Sequence, residues 1–473
     1  MLLKGLHLKD DFLDRSHSIA RPGFNRWLVP PAALCIHLAI GQAYAFSVFN
    51  KPMSVLVGIT EPAAGDWKIT DIGWIFSLAI VFLGLAAAFG GKWVEAVGPR
   101  KSMFAAALCF SGGLLIAGAG VALHLLPLVF LGYGVVGGIG LGIGYISPVS
   151  TLIKWFPDRP GLATGTAIMG FGGGALIGAP LAVALMKHYS TPTLVGVAPT
   201  MLTMGILYLA FMLVGVFLVR VPAPGWAPAG YVPSTTSGKM ITTGNVLVGQ
   251  AVRTPQFYLL WLVLFCNVTA GIGVLSQASL MIQEMFPGKF PHADPVQTAA
   301  SASVAAGFVG LLSIFNMGGR IFWASMSDFI GRKATYAIFF ALGILLYASI
   351  PALGHAGNLA LFILAYVVIL SMYGGGFATI PAYLRDLFGT INVGAIHGRL
   401  LTAWSAAGVA GPVLVNYIRQ NQIDHGVAKA DAYSITMYFM AGLLVVGFIS
   451  NLMVKQLREQ YYVKAGSLQE ATS

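Results

Sequence analysis

The stretch Gly91-Lys-Trp-Val-Glu95-Ala-Val-Gly98-Pro-Arg100-Lys101 lies between two apolar runs. It is answered later by Ser327-Asp328-Phe-Ile-Gly331-Arg332-Lys333. In each copy an acid stands three residues before a glycine, and an Arg-Lys pair closes the segment. Arg100 and Arg332 are 232 residues apart. A second anchor keeps the spacing: Lys154-Trp-Phe156, Gly165, Gly178 and Pro180 answer to Arg385-Asp-Leu-Phe388, Gly398, Gly411 and Pro412, at offsets of 231 to 233. Two agreeing anchors describe a duplicated unit, the parallel internal repeat found in secondary transporters.

The surrounding composition says what the unit is made of. The chain has 473 residues, 57% hydrophobic and 9% charged, where an ordinary soluble domain carries roughly 25% charge. Mean hydropathy is +0.80. A soluble enzyme, a disordered chain and a disulfide scaffold are all excluded by so few charges and three cysteines. A transmembrane helix needs about 20 apolar residues, and twelve such stretches are present: 27–50, 72–91, 101–123, 126–152, 161–186, 197–220, 256–283, 298–325, 334–353, 358–383, 391–418 and 432–454. The expected fold is therefore an all-α integral membrane protein, twelve helices in two pseudo-symmetric bundles of six. Its expected parts are a tail (1–26), a first bundle (27–220), a linker (221–254), a second bundle (255–454) and a tail (455–473). The linker is marked by Pro222, Pro224, Gly225, Pro228, Gly230 and the Ser/Thr/Gly run Ser234 to Gly238.

Charge sets the orientation. With both termini in the cytoplasm, twenty of the 27 Lys and Arg residues fall on inside segments and six on outside ones, with Arg320 left over. The expected location is the plasma (cell inner) membrane. The tail carrying Lys4, Lys9, Asp10, Asp11, Asp14 and Arg15 does not read as a secretory signal. The net charge of +11 is scattered over segment ends, so nucleic acid is not an expected partner. Cys35, Cys109 and Cys266 sit in apolar stretches with no metal-ligand spacing. No metal, no cofactor and no obligate protein partner is expected; the lipid bilayer is.

The sixteen acids all fall in tails, loops or helix ends. One base does not: Arg320, in Phe315-Asn316-Met-Gly-Gly-Arg320-Ile-Phe-Trp323, eight residues before Asp328, or about 12 Å deeper along a helix. Such a residue costs a few kcal/mol and normally faces a cavity or a partner. With no acid at that depth, an unpaired guanidinium would attract an anion, and its planar fork fits a carboxylate. The alternative is that Arg320 snorkels to the inside loop or bonds backbone carbonyls. Asn316, one turn back, either shares the anion or makes an interhelical bond. Tyr44, Tyr145, Tyr373 and Gln42 lie in glycine-rich spans, where their polar groups would reach a carboxylate or serve packing. His37 reads as the only histidine deep in a span and is the candidate for handling a proton, against a plain interhelical role.

On the Gly91–Lys101 and Asp328–Lys333 segments, the chain resembles the major facilitator superfamily, whose signature loop reads Gly-x-x-x-Asp-x-x-Gly-Arg-Arg/Lys. Gly91, Glu95, Gly98, Arg100 and Lys101 carry the first copy, and Asp328, Gly331, Arg332 and Lys333 echo it. Glu95 replaces the aspartate, Pro99 is inserted, and Ala324 replaces the second copy's first glycine. The resemblance implies that these loops lock one face of a transporter. A narrower likeness rests on Tyr145-Ile-Ser-Pro-Val-Ser-Thr-Leu-Ile-Lys154-Trp-Phe-Pro-Asp158-Arg159-Pro-Gly161-Leu-Ala-Thr-Gly165 and on Tyr44-Ala-Phe-Ser-Val-Phe49. These runs are similar to the oxalate/formate antiporter family, which with related monocarboxylate carriers moves small carboxylates. The resemblance implies that the arginine of the eighth span is the carboxylate ligand. It also implies a lysine in the eleventh span as a second charge, but here Trp404 takes that place, in Leu401-Thr-Ala-Trp404-Ser405. Arg399 lies too near the cytosolic end to replace it. One base argues for a monocarboxylate.

The expected function is thus a secondary active transporter of small organic anions of the lactate, pyruvate or formate class, working by alternating access with proton symport or anion exchange. The alternatives are an oxalate/formate-type dicarboxylate–monocarboxylate antiporter and a non-transporting sensor on the same fold. No Gly-x-x-x-x-Gly-Lys-Ser/Thr motif for ATP is present, and no intramembrane acid or nucleophile–base pair suggests an enzyme.

Overall fold

A computed structural model describes residues 12–231, 240–290 and 295–463. The tail residues Lys4, Lys9, Asp10, Asp11, Lys464 and Glu470, the linker run Ser234 to Gly238, and Asp294 lie outside the described residues. Among the described residues, twelve helices are long and apolar enough to cross a membrane: span 1 (Arg26–Met53), span 2 (Ile69–Val97), span 3 (Pro99–Ala122), span 4 (Leu126–Trp155), span 5 (Pro160–Tyr189), span 6 (Val197–Leu218), span 7 (Pro255–Leu275), span 8 (Gly307–Ile330), span 9 (Arg332–His355), span 10 (Leu359–Phe388), span 11 (Val393–Asp424) and span 12 (Ser434–Met453). Among the described residues there is no sheet, only the isolated bridges Ile19–Val221 and Thr191–Leu194.

Several helices outrun the apolar stretches that announce them. Span 2 continues through Lys92 and Glu95 to Val97, and span 10 through Arg385 and Asp386 to Phe388. Hydrocarbon ends where charges begin, but backbone hydrogen bonding does not, so the helices run on into the interface. Span 2 ends on Gly98 with φ +81°, and span 8 ends on Gly331 with φ +90°. Both repeat glycines therefore occupy the left-handed region that a side chain resists.

Three spans are irregular. Span 1 passes from α-helix (Val29–Ile40) to a 3-10 segment (Gly41–Phe49) that carries Gln42 and Tyr44. Span 4 begins with a π-helical stretch (Phe130–Gly137) packed so closely on span 3 that a Cβ on Gly113 would stand 2.6 Å from the Gly137 nitrogen. Span 11 is two α-helices, Val393–Leu400 and Thr402–Asp424, meeting at Leu401.

An even number of spans puts both termini and the interior connection on one face. On that face the chain is tied down. The Ala20 N–H donates to Val221 O at 2.9 Å, and the Arg26 guanidinium holds Asp158 in the span 4–5 loop at 2.6 and 2.9 Å. Asn245 Oδ1 accepts the N–H groups of Thr390 and Ile391, and Val463 N–H donates to Asn245 O. The interior connection is thus docked on the ends of spans 10 and 11. The first six spans meet the last six where span 5 packs on span 8 and span 2 on span 11.

Candidate substrate site and gate

Arg320 is completely buried at the span 5–span 8 contact. Its Nε donates to Asn316 Oδ1 at 3.3 Å, one turn back on the same helix, and its Nη1 donates to the backbone carbonyl of Ile168 on span 5 at 3.0 Å. Nη2 has no partner among the described residues. A guanidinium has five N–H donors; two are engaged, and those on the Nη1–Nη2 edge leave a fork open for a carboxylate. No acid of the described residues bonds or pairs with Arg320. The carboxylates lie elsewhere, as their sequence positions suggest.

Aromatic rings enclose the base. Its Cζ lies 6.0 Å from the Phe171 ring centroid and 5.4 Å from that of Phe377. Trp404 packs against both, at 5.2 and 4.6 Å, and against Tyr145 at 5.2 Å. Tyr44 packs on Phe171 at 5.0 Å, and its hydroxyl meets that of Tyr373 at 3.3 Å. The Tyr145 hydroxyl and the Trp404 indole N–H are buried without a partner among the described residues. The field of Arg320 reaches Tyr44, Tyr145, Tyr373 and His37. The structure thus brings together six predicted residues: Arg320, Asn316, Tyr44, Tyr145, Tyr373 and Trp404. Gln42 belongs to another neighbourhood, accepting from Tyr133 at 3.1 Å beside Tyr208. His37 flanks the cluster, with Nε2 3.3 Å from Tyr145 O and its ring 5.5 Å from the Tyr145 ring.

Glycine strings make room for this centre. A Cβ on Gly172 would stand 2.8 Å from Arg320 Nε, and one on Gly374 would stand 2.6 Å from Asn316 Oδ1. The rings of Phe171 and Phe377, each set beside such a string, are the lining that sequence reasoning missed. The repeated pattern of a phenylalanine next to a glycine run was the available signal. His397 was missed as well; it is buried on span 11, and its ring lies 5.9 Å from that of Tyr145.

The two repeat loops close the face that carries the termini. Glu95 Oε1 accepts the N–H of Gly394, in the first turn of span 11, at 3.0 Å, and Oε2 takes Lys154 Nζ at 2.9 Å. Asp328 accepts the N–H groups of Gly161 and Leu162, in the first turn of span 5, each at 2.9 Å, and takes Arg332 Nη2 at 2.6 Å. Arg332 also bonds Ser327 and reaches Asp386 at 3.1 Å. Each acid therefore sits at a helix N-terminus of the opposite set of spans, where backbone donors and the helix dipole favour negative charge. Gly91 permits the approach: a Cβ there would stand 2.7 Å from Ala395 Cα. Arg100 and Lys101 face the tail instead. Arg100 donates to Phe12 O at 2.8 Å with Phe12's ring at 4.3 Å, and Lys101 lies 3.8 Å from Asp14. Further bonds join the two sets: Thr164 Oγ1 donates to Ala378 O at 2.7 Å, and Arg385 Nη2 to Pro157 O at 3.3 Å.

The profile of the Major Facilitator Superfamily matches residues 24–412. Among curated relatives, the chain is 27% identical over 395 residues to the oxalate:formate antiporter of Oxalobacter formigenes, covering 82% of this chain and 83% of that one. It is 24% identical over 396 residues to the apicoplast pyruvate carrier 1 of Toxoplasma gondii, covering 75% and 70%. Among solved structures, the Escherichia coli fucose:proton symporter aligns with a TM-score of 0.63 at 14% identity, over 92% of this chain and all of that one. The chain belongs to the Major Facilitator Superfamily.

Proposed function

We propose that this transporter carries small monocarboxylates by alternating access, with Arg320 as the carboxylate ligand. Members of this family are carriers rather than enzymes. The observation that carries the substrate class is the state of Arg320: fully buried, ringed by aromatic side chains, with Nη2 unpartnered among the described residues. An uncompensated buried cation is costly, and an anion of one charge relieves it. Relatives named for oxalate and formate and for pyruvate support a carboxylate. The lone base, with Trp404 beside it, favours one carboxylate group over two.

The bodies that rock are residues 27–220 and 255–454. Glu95 with Gly394 and Asp328 with Gly161 and Leu162 hold them together on the face of the termini. The excess of Lys and Arg on that face supports its facing the cytoplasm, and the membrane in this reading is the plasma membrane. Release of the anion inward requires these two contacts to part. Tyr44, Tyr145, Tyr373, Asn316 and Trp404 line the anion's path, and Gln42 supports span 1 through Tyr133.

The test is uptake of labelled lactate, pyruvate, formate and oxalate into proteoliposomes by the wild type and by Arg320→Ala. The expected result is uptake of a monocarboxylate that the substitution abolishes. Undiminished uptake by Arg320→Ala overturns the site, and preferred oxalate uptake overturns the single-charge argument.

A further inference from the structure

We propose that His397 is the proton site of this carrier, and that its protonation is linked to occupancy of Arg320 by an anion, so that a monocarboxylate and a proton move together. The inference rests on the substrate class proposed above and adds the coupling.

Both ring nitrogens of His397 are buried without a partner among the described residues, as is Nδ1 of His37. Burying a polar group without a hydrogen bond costs free energy, so an imidazole with two idle nitrogens is an unusual thing to keep in a packed helix. The two histidines come from the two sets of spans, His37 from span 1 and His397 from span 11. Both rings pack on Tyr145, at 5.5 and 5.9 Å. Tyr145, shared by both rings, packs in turn on Trp404 of the aromatic centre at 5.2 Å. His397 stands one turn from Gly394, whose N–H is bound by Glu95, so it sits between the closed face and the aromatic centre.

Other charges cannot take this role. On the elements packed against His397, Glu95 is paired with Lys154, and Asp386 with Arg332 and Arg385. Arg399, on its own helix, donates to Ala395 O at 3.2 Å. Tyr145 and Tyr383 are phenols, neutral near pH 7. That leaves the histidines, and His37 is partly engaged by Tyr145 O.

Charge counting gives the linkage. The empty centre carries one positive charge, on Arg320. A proton on His397 makes two like charges in a low-dielectric interior, which opposes it. A bound monocarboxylate cancels Arg320, and the proton then enters against no net charge. Each ligand therefore raises the affinity for the other, reciprocally. The proton passes from water to an imidazole nitrogen when the anion enters, and returns to water on the other side when the anion leaves. The empty and doubly loaded carriers then carry the same charge, so both can reorient.

The experiment compares the wild type with His397→Gln in proteoliposomes, using lactate, pyruvate, formate and oxalate. Two readouts are taken: accumulation driven by an acid-outside pH gradient, and counterflow with no gradient. The wild type is expected to accumulate a monocarboxylate on the gradient. His397→Gln is expected to lose accumulation at least tenfold while counterflow remains measurable, which shows that it is folded. In detergent, a pH-indicator dye is expected to report proton uptake on anion addition by the wild type and none by His397→Gln. Accumulation by His397→Gln equal to the wild type overturns the proposal. So does wild-type counterflow with no response to the gradient, which leaves the carboxylate function standing. No transport of any of the four anions by the wild type overturns that function, and the coupling with it.

Discussion

The Arg320 guanidinium on span 8 donates through Nη1 to the Ile168 carbonyl on span 5 at 3.0 Å, so the buried base of the last six spans is held by the backbone of the first six. Any movement of one set against the other must stretch or break that bond. In the proposed site, a carboxylate on the Nη1–Nη2 edge would share Nη1 with that carbonyl. On the proposed cycle, occupancy of the site would therefore bear directly on the contact between the two sets.

Gly172→Ala tests this fit. The new Cβ would stand 2.8 Å from Arg320 Nε, so the guanidinium must move. Overpacking of this kind costs about 1–3 kcal/mol, and anion uptake is expected to fall at least tenfold. Gly90→Ala is the control, since its Cβ would meet only Ile143 at 3.8 Å. It is expected to leave uptake unchanged and to gain about 0.5–1 kcal/mol in stability from helix propensity. Uptake rates and melting temperatures in detergent read both.

On the proposed cycle, the clasp at Glu95 is expected to set how often the face of the termini opens. Glu95→Ala leaves the Gly394 N–H and Lys154 without their acceptor, a loss of about 1–3 kcal/mol. The inward-open population is expected to rise about tenfold for each 1.4 kcal/mol of that loss. A cysteine placed at Ser150, against Gly394, in a background lacking Cys35, Cys109 and Cys266, reports it as faster labelling by a membrane-impermeant maleimide. An unchanged labelling rate would show that Glu95 does not hold the face closed.

On the proposed site, Trp404 is expected to set the charge of the acceptable anion. Trp404→Lys puts a second base beside Arg320. A charge-assisted hydrogen bond contributes about 1.5–3 kcal/mol, so the ratio of oxalate to lactate uptake is expected to rise at least tenfold. The ratio, rather than either rate, separates changed selectivity from poorer folding.

Asp158 gives a pH dependence outside the membrane. Burial pushes its carboxyl up, but the Arg26 hydrogen bonds and charge outweigh that and hold it below the usual carboxylate range. Because the folded value is depressed, the contribution is complete above the unfolded value near 4 and is lost as pH falls through the folded one. Asp158→Asn is expected to cost about 0.5–1 kcal/mol at pH 7, as a partly exposed pair does. The gap between the two melting temperatures is expected to narrow below pH 4.

Much of this molecule is legible in its residues. The twelve spans follow from apolar length, and the turns at Gly98 and Gly331 from the repeat. Arg320 stands out because charge is rare and costly in hydrocarbon. What hydropathy conceals is direction. Phe171 and Phe377 sit in spans apolar on every side, so no periodicity tells the lipid face from the inner one. The extended ends of spans 2 and 10 were hidden because a helix outlasts its apolar residues. Gln42 reads as a neighbour of Tyr44, but the 3-10 segment turns it to Tyr133 instead.

From the opposite set of spans, both clasps take their donors from the main chain: Gly394 in one, Gly161 and Leu162 in the other. No exchange of side chain at those positions, proline apart, deletes an amide hydrogen. Random mutagenesis will therefore break each clasp cleanly from its acid, and changes on the amide side will act mainly by crowding. A genetic screen for carriers stuck open to the cell interior should return Glu95 and Asp328 repeatedly, with Gly394, Gly161 and Leu162 scarcely represented.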